Sequence, residues 1–213
     1  LVDWSFQGNS INKSPNHLVG RIYMNPDLVY TADVFGMLHD DIEAYNLAHI
    51  GKEIKAQMKT MSYEQLTRPD DESFRPDKIV LYFLATDQQA IYEIVQNVYR
   101  KAQDLSKKPE LQPFITDHAR PVFRENIGIL QGQLTDASGV PMRGIGFAQE
   151  PVDNNASFGT ILQDVFLSVL KTARDQKITI TKDEQIASLL EQALRDNKLD
   201  PRTPYLFYTV RDD

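Results

Sequence analysis

Three short stretches place cations and phenols where they could hold an anion and move a proton. In VGRIYMN (19–25) the alternation sets Arg21, Tyr23 and Asn25 on one face of a strand, with Ile22 and Met24 on the other. In GKEIKAQMKT (51–60), Ile54, Ala56 and Met58 share one face while Lys55, Gln57 and Lys59 share the opposite one. In KIVLYF (78–83), Tyr82 joins Val80 on what would be the same polar side of a sheet. Arginine offers a planar fork for phosphate or carboxylate, and lysine offers a point charge. A cluster of cations also lowers a lysine pKa toward that of a general base. The same residue types occur on simply solvated sheet faces, where they guard against edge pairing, so both readings stay open at this point.

Other groups point less clearly to chemistry. The four histidines, His17, His39, His49 and His118, show no zinc-ligand spacing, and no metal site is expected. His39 precedes Asp40 and Asp41, but consecutive residues diverge around a helix and read as a solvated face. His118 sits in TDHARP, a loop that could bring an acid or base to a site. NNASFG (154–159) opens a helix, and capping by Asn155 or Ser157 accounts for it without an anion. MRGIGF (142–147) lacks the features of a P-loop or a dinucleotide fingerprint.

The 213 residues are enough for a substantial core, with 41% hydrophobic and 25% charged residues. A net charge of −7 argues against broad binding to nucleic acid or an anionic membrane. The absence of cysteine removes disulfides, thiol nucleophiles and thiolate metal sites. No apolar run is long enough to cross a bilayer, and no signal-peptide pattern is read at the first residues.

These candidates need elements to position them. Residues 1–17 read as a polar lead-in whose Trp4 and Phe6 dock on the body, followed by a strand over 18–24. Asn25 and Pro26 then serve as N-cap and first helical position of a helix over about 27–47. The strand at 51–60 leads through a Pro/Asp-rich loop into KIVLYFLA. TDQQ (86–89) is a capping box for a helix to about 107, carrying Ile91, Ile94, Val95, Val98 and Leu105. DASGVPM predicts a hairpin between NIGILQGQL and MRGIGFAQEP. A helix to about 174 follows, with Ile161, Leu162, Val165, Phe166, Val169 and Leu170 on its apolar face. Thr181 to Glu184 caps a further helix to about 197, bearing Ile186, Leu189, Leu190 and Leu194, and PYLFYTV closes the chain as a strand. The expectation is one α+β domain over 18–213, a mostly antiparallel sheet with helices packed on one face, and 178–200 as a possible appended helical unit.

GRIYMN before a helix, RPDKIVLYF before a helix, GIGFAQEP, and SFG opening a helix occur in an order that resembles the HopA-type type III effector domain. That family includes plant-pathogen effectors and proteins of class V lanthipeptide clusters, and the resemblance spans about residues 18–174. It implies an α+β fold and kinship with phosphothreonine lyases, which eliminate phosphate from phosphoserine or phosphothreonine. In such lyases a Lys removes the α-proton, an acid helps phosphate leave and Arg side chains hold it. Their Lys-x-His pattern on an early strand would correspond here to Arg21 and Tyr23, with Tyr a weaker acid than His⁺ at its reference pKa of about 10. For that chemistry Lys55 is the expected base and Lys59 its alternate, chosen by strand face and residue type rather than by alignment. Arg21, Arg75 and Arg143 are the expected phosphate holders, and Asn25, Tyr82 and His118 are further candidates.

Two functions follow as expectations. One is a carbon–oxygen lyase acting on a phosphorylated peptide or protein. The other is an effector-like binding domain that uses the same cationic face without turnover. Neither calls for a cofactor. Expected partners are a peptide or protein, phosphorylated or not, and either a chaperone or a second copy of the chain. Nucleic acid and membrane are not expected. The expected location is the bacterial cytoplasm or, by translocation, a host cell.

Overall fold

A computed structural model describes residues 4–8, 19–61, 77–107, 121–125, 131–151, 157–179 and 183–206. Among these are six strands and four α-helices, in the order β1 (Trp4–Gly8), β2 (Val19–Met24), α1 (Thr31–Ala48), β3 (Ala56–Met61), β4 (Ile79–Leu84), α2 (Gln88–Ala102), β5 (Gly132–Thr135), β6 (Pro141–Gln149), α3 (Phe158–Asp175) and α4 (Asp183–Asp196). The strands form one sheet ordered β1-β3-β4-β2-β6-β5. The pairs β1–β3, β3–β4, β2–β4 and β5–β6 are antiparallel, so the α+β class holds. The chain packs as two compact units, Leu1–Asn12 with Val19–Phe147, and Lys13–Leu18 with Ala148–Asp213.

In the first unit β4 is the central strand, and Ile79, Val80, Leu81 and Phe83 are all buried. Its two faces are therefore both covered, and alternation alone decides which residues meet the helices. Phe83 pairs with Gly20 across the β2–β4 ladder, and its ring lies where a Gly20 Cβ would sit. From there Phe83 meets Tyr92 of α2 edge-on at 6.4 Å and Phe147 at 6.4 Å. That fixes the α2 side of the sheet as the face of Ile22, Met24, Met58, Ile79 and Leu81. α2 buries Ile91, Ile94, Val95 and Val98 at helical spacing. α1 buries Val34, Leu38 and Ile42, and its Asp41 ties the two helices by accepting from Asn97 Nδ2 at 2.7 Å and Lys101 Nζ at 2.6 Å.

Several expectations change. Trp4–Gly8 of the lead-in is a sheet strand, paired with β3 through backbone groups. β4, the last of the three cationic-face strands in sequence, lies between β2 and β3. The α1 entry is capped by Asp27 rather than Asn25: Asp27 Oδ1 accepts from Val29 N–H over a 3₁₀ turn, Leu28–Tyr30. The box at 86–89 does not form, because Asp87 Oδ2 accepts from Lys55 N–H and the helix has no side-chain cap.

In the second unit Ser157 caps α3, its hydroxyl accepting from Thr160 N–H at 3.1 Å. The buried stripe is Phe158, Val165, Val169 and Ala173, narrower than the predicted face, and Phe166 and Leu170 are exposed. α3 packs on α4, which buries Ala193 and Leu194 and leaves Ile186 exposed. Pro204–Leu206, the described part of the predicted last strand, is turn.

A buried polar knot fixes the end of β2. Asn25 N–H donates to Gly144 C=O at 2.9 Å, Arg124 N–H to Asn25 C=O at 2.9 Å, and Asp27 N–H to Val122 C=O at 2.8 Å. Arg124 donates from Nε and Nη2 to Asp27 Oδ2 at 3.1 and 3.0 Å. Lys78, fully buried, donates from Nζ to Asn25 Oδ1. Burial lowers the Lys78 pKa to about 8, with the Arg124 charge adding to the effect and Asp27 and Asp77 opposing it.

Two outcomes follow. Gly144 has φ +68°, and a Cβ there would lie 2.3 Å from the Arg124 carbonyl oxygen. Gly144→Ala should therefore lower stability by about 2–4 kcal/mol in urea unfolding, whereas Gly139→Ala, equally left-handed but in open space, should cost about 1 kcal/mol. Lys78 is protonated in the unfolded chain up to its ordinary value of 10.5 but loses its proton near 8 when folded. Between these values the unfolded state binds more protons, so stability rises with pH, by up to about 3 kcal/mol. The difference in urea midpoint between wild type and Lys78→Met, measured from pH 8 to 10, should show that slope. A flat difference would contradict it.

Candidate functional site

The β-sheet register assembles the cationic face. Arg21 stands opposite Tyr82, and Tyr82 opposite Gln57. Tyr23 stands opposite Val80, and Val80 opposite Lys59. All project to the side away from α2, because Phe83 and Gly20 have the opposite parity. The centre of the group is the Tyr82 ring. The Arg21 guanidinium carbon lies 4.6 Å from the ring centroid, and Lys59 Nζ lies 5.3 Å from it. Arg21 Nη1 also donates to the Tyr23 hydroxyl in a long contact of 3.5 Å.

Each cation–π contact stabilises its cation by about 0.5–2 kcal/mol, and together they gather two like charges over one ring. A dianion that reached both cations would gain from both charges. The face is not the open, wet surface that a one-sided sheet would present. Tyr23, Val19 and Val80 are buried, while Arg21, Lys59 and Tyr82 are half-buried. Partial desolvation strengthens any ion pair made there relative to one in bulk water.

The other expected site residues are placed differently. Lys55 precedes β3 and is exposed, its backbone N–H donating to Asp87 Oδ2 at 3.2 Å. It lies two residues before Gln57, the partner of Tyr82 across the β3–β4 ladder, about 7 Å along an extended chain. Arg143 pairs with Glu125 at 2.9 Å, and its backbone N–H donates to the Tyr99 hydroxyl of α2 at 3.0 Å, which puts it on the helix side. Asn25 is buried in the polar knot. Arg75 and His118 lie outside the described residues.

Lys78 is the residue that sequence reasoning missed. It shares the parity of Val80 and Tyr82, so its place on this face could have been read from the alternation in KIVLYF. It is a fully buried amine with a lowered pKa, held on Asn25 at the Tyr23 end of the group.

On the α2 side a cleft of about 510 Å³ is lined by Glu93, Gln96, Asn97, Arg100 and Asp136 among others. One arginine against two carboxylates makes it a poor anion site compared with the Tyr82 face. Among the described residues no group of three His, Asp or Glu side chains is arranged to hold a metal, and no helix is long and apolar enough to cross a membrane.

No family model and no curated sequence matches the chain. Solved structures do. The effector protein from Pseudomonas syringae pv. tomato strain DC3000 superimposes with a TM-score of 0.53 at 16% identity, covering 98% of this chain and 64% of that one. The effector protein from Pseudomonas syringae pv. syringae strain 61 does so with a TM-score of 0.51 at 14% identity, covering 97% and 63%. The chain thus spans less than two thirds of the length of either effector. At such identities the likeness extends to architecture: this chain has a fold similar to that of bacterial effector proteins.

Proposed function

We propose that this chain is an effector-type domain that binds a phosphorylated peptide or protein on the β2–β4–β3 face. The observation that carries the reading is the convergence of Arg21 and Lys59 on the Tyr82 ring. Arg21 supplies the fork for phosphate oxygens and Lys59 the second charge. The ring sets their spacing and offers an apolar floor.

Elimination of the phosphate is a second reading, supported by the HopA-type resemblance and by the Tyr23 hydroxyl beside Arg21. In that chemistry Lys59 would take the Cα proton, the Cβ–O bond would break as a Cα=Cβ bond forms, and Tyr23 would protonate the departing oxygen. The products are a dehydroamino acid residue and inorganic phosphate. A cation–π contact favours the charged ammonium of Lys59, however, and a base must be neutral. Binding without turnover is therefore the reading that the geometry supports best. The effector neighbours support action inside a host cell, and the lanthipeptide members of the resembling family support a modified peptide as an alternative ligand.

Titration with a phosphothreonine peptide should show saturable binding that Arg21→Ala and Lys59→Ala each weaken about tenfold or more. Arg143→Ala should leave it unchanged. Mass spectrometry of the same mixture separates the two readings, since loss of the elements of phosphoric acid marks elimination and an intact peptide marks binding alone. Absence of binding, or full binding by both Ala variants, would contradict the assignment of this face.

A further inference from the structure

The apolar residues that α3 leaves outside carry a second conclusion, independent of the cationic face. Leu167 and Leu170 are each 62% exposed and Phe166 is 36% exposed, on a helix whose buried stripe is Phe158, Val165, Val169 and Ala173. Gln163, Leu167, Leu170 and Arg174 follow one another at spacings of four, three and four residues, which is the seam of a helix that packs on another helix. An adjacent pair of large, exposed leucines at the middle of such a seam is unusual on a free surface.

The charges beside the seam identify the occupant. Asp164 and Lys171 flank it on one side, about one turn before Leu167 and one turn after it, and neither makes an ion pair among the described residues. When the helix is laid antiparallel on a copy of itself, Leu167 of each meets Leu170 of the other. The same two-fold then sets each Asp164 beside the Lys171 of the second copy. A parallel pairing would instead set Asp164 and Lys171 beside Gly159 and Phe166, which offer no opposite charge. The surface is self-complementary in the antiparallel orientation, as an isologous two-fold interface requires.

We propose that α3 is a homodimerisation surface, pairing antiparallel with α3 of a second copy of this chain. The seam is short, so the dimer is weak, with a dissociation constant on the order of 10–100 µM. Sedimentation velocity from about 10 to 500 µM tests it, and salt should weaken the association modestly. Wild type should shift from monomer to dimer across this range. Asp164→Lys and Lys171→Glu should each stay monomeric, because every homodimer then opposes like charges. An equimolar mixture of the two variants should dimerise again. In that heterodimer the introduced lysine of one chain faces the introduced glutamate of the other, and the native Lys171 of the first faces the native Asp164 of the second. Recovery in the mixture also shows that both variants are folded. A wild type that stays monomeric to about 500 µM, single variants that dimerise as wild type does, or a mixture that fails to recover would overturn the proposal.

Discussion

The contact on which the first unit depends is that of the Phe83 ring against the missing side chain of Gly20. It pins β2 to β4 in one register and turns Ile22, Met24, Leu81 and Ile79 toward the helices. The rest of the face is a consequence of the two-residue period. A slip of β2 by one residue would turn Arg21 toward the α2 side and Ile22 and Met24 away from it, exchanging buried apolar groups for a charge. The face proposed to bind an anion is thus specified by a packing contact on the opposite side of the sheet.

On that face the energetics are mixed. Tyr23, Val80 and Lys78 are buried, so the cations beside them sit in a region less wet than a surface sheet. Lys78 illustrates the difference: desolvation and the nearby Arg124 lower its pKa, whereas Lys59 has an aromatic ring to stabilise its charge. Two lysines on one sheet face thus have different immediate neighbours, a buried polar knot for Lys78 and an aromatic ring for Lys59. That contrast favours anion recognition by Lys59 and a structural role for Lys78 at the β2–α1 junction.

Alternation made Arg21, Tyr23, Tyr82 and Lys59 readable as one face, because it is a local property of each strand. The order of the strands was not readable, since only long-range pairing places β4 between β2 and β3. Lys55 was read as part of the strand, and the strand stops short of it for a physical reason. The Asn46 side chain takes up both Ile54 backbone groups, accepting its N–H at 2.9 Å and donating to its C=O at 3.3 Å, while Asp87 takes Lys55 N–H. These side chains end the strand at Ala56, just short of Lys55. The apolar face of α3 was read too wide, because Phe166 and Leu170 satisfy helical spacing without facing the core. Trp4–Gly8 was hidden in a polar segment whose strand character comes from pairing with β3 rather than from its own composition.

The central claim is that one anion is shared between Arg21 and Lys59 above Tyr82. Side-chain nitrogen NMR of the arginine guanidinium groups, followed during titration with a phosphothreonine peptide, tests it most directly. The account predicts a saturable shift of the Arg21 Nε–H resonance that parallels binding and shrinks strongly in Lys59→Gln, with the Arg100 and Arg143 resonances unmoved. Binding that moves Arg100 or Arg143 while Arg21 stays fixed would contradict it.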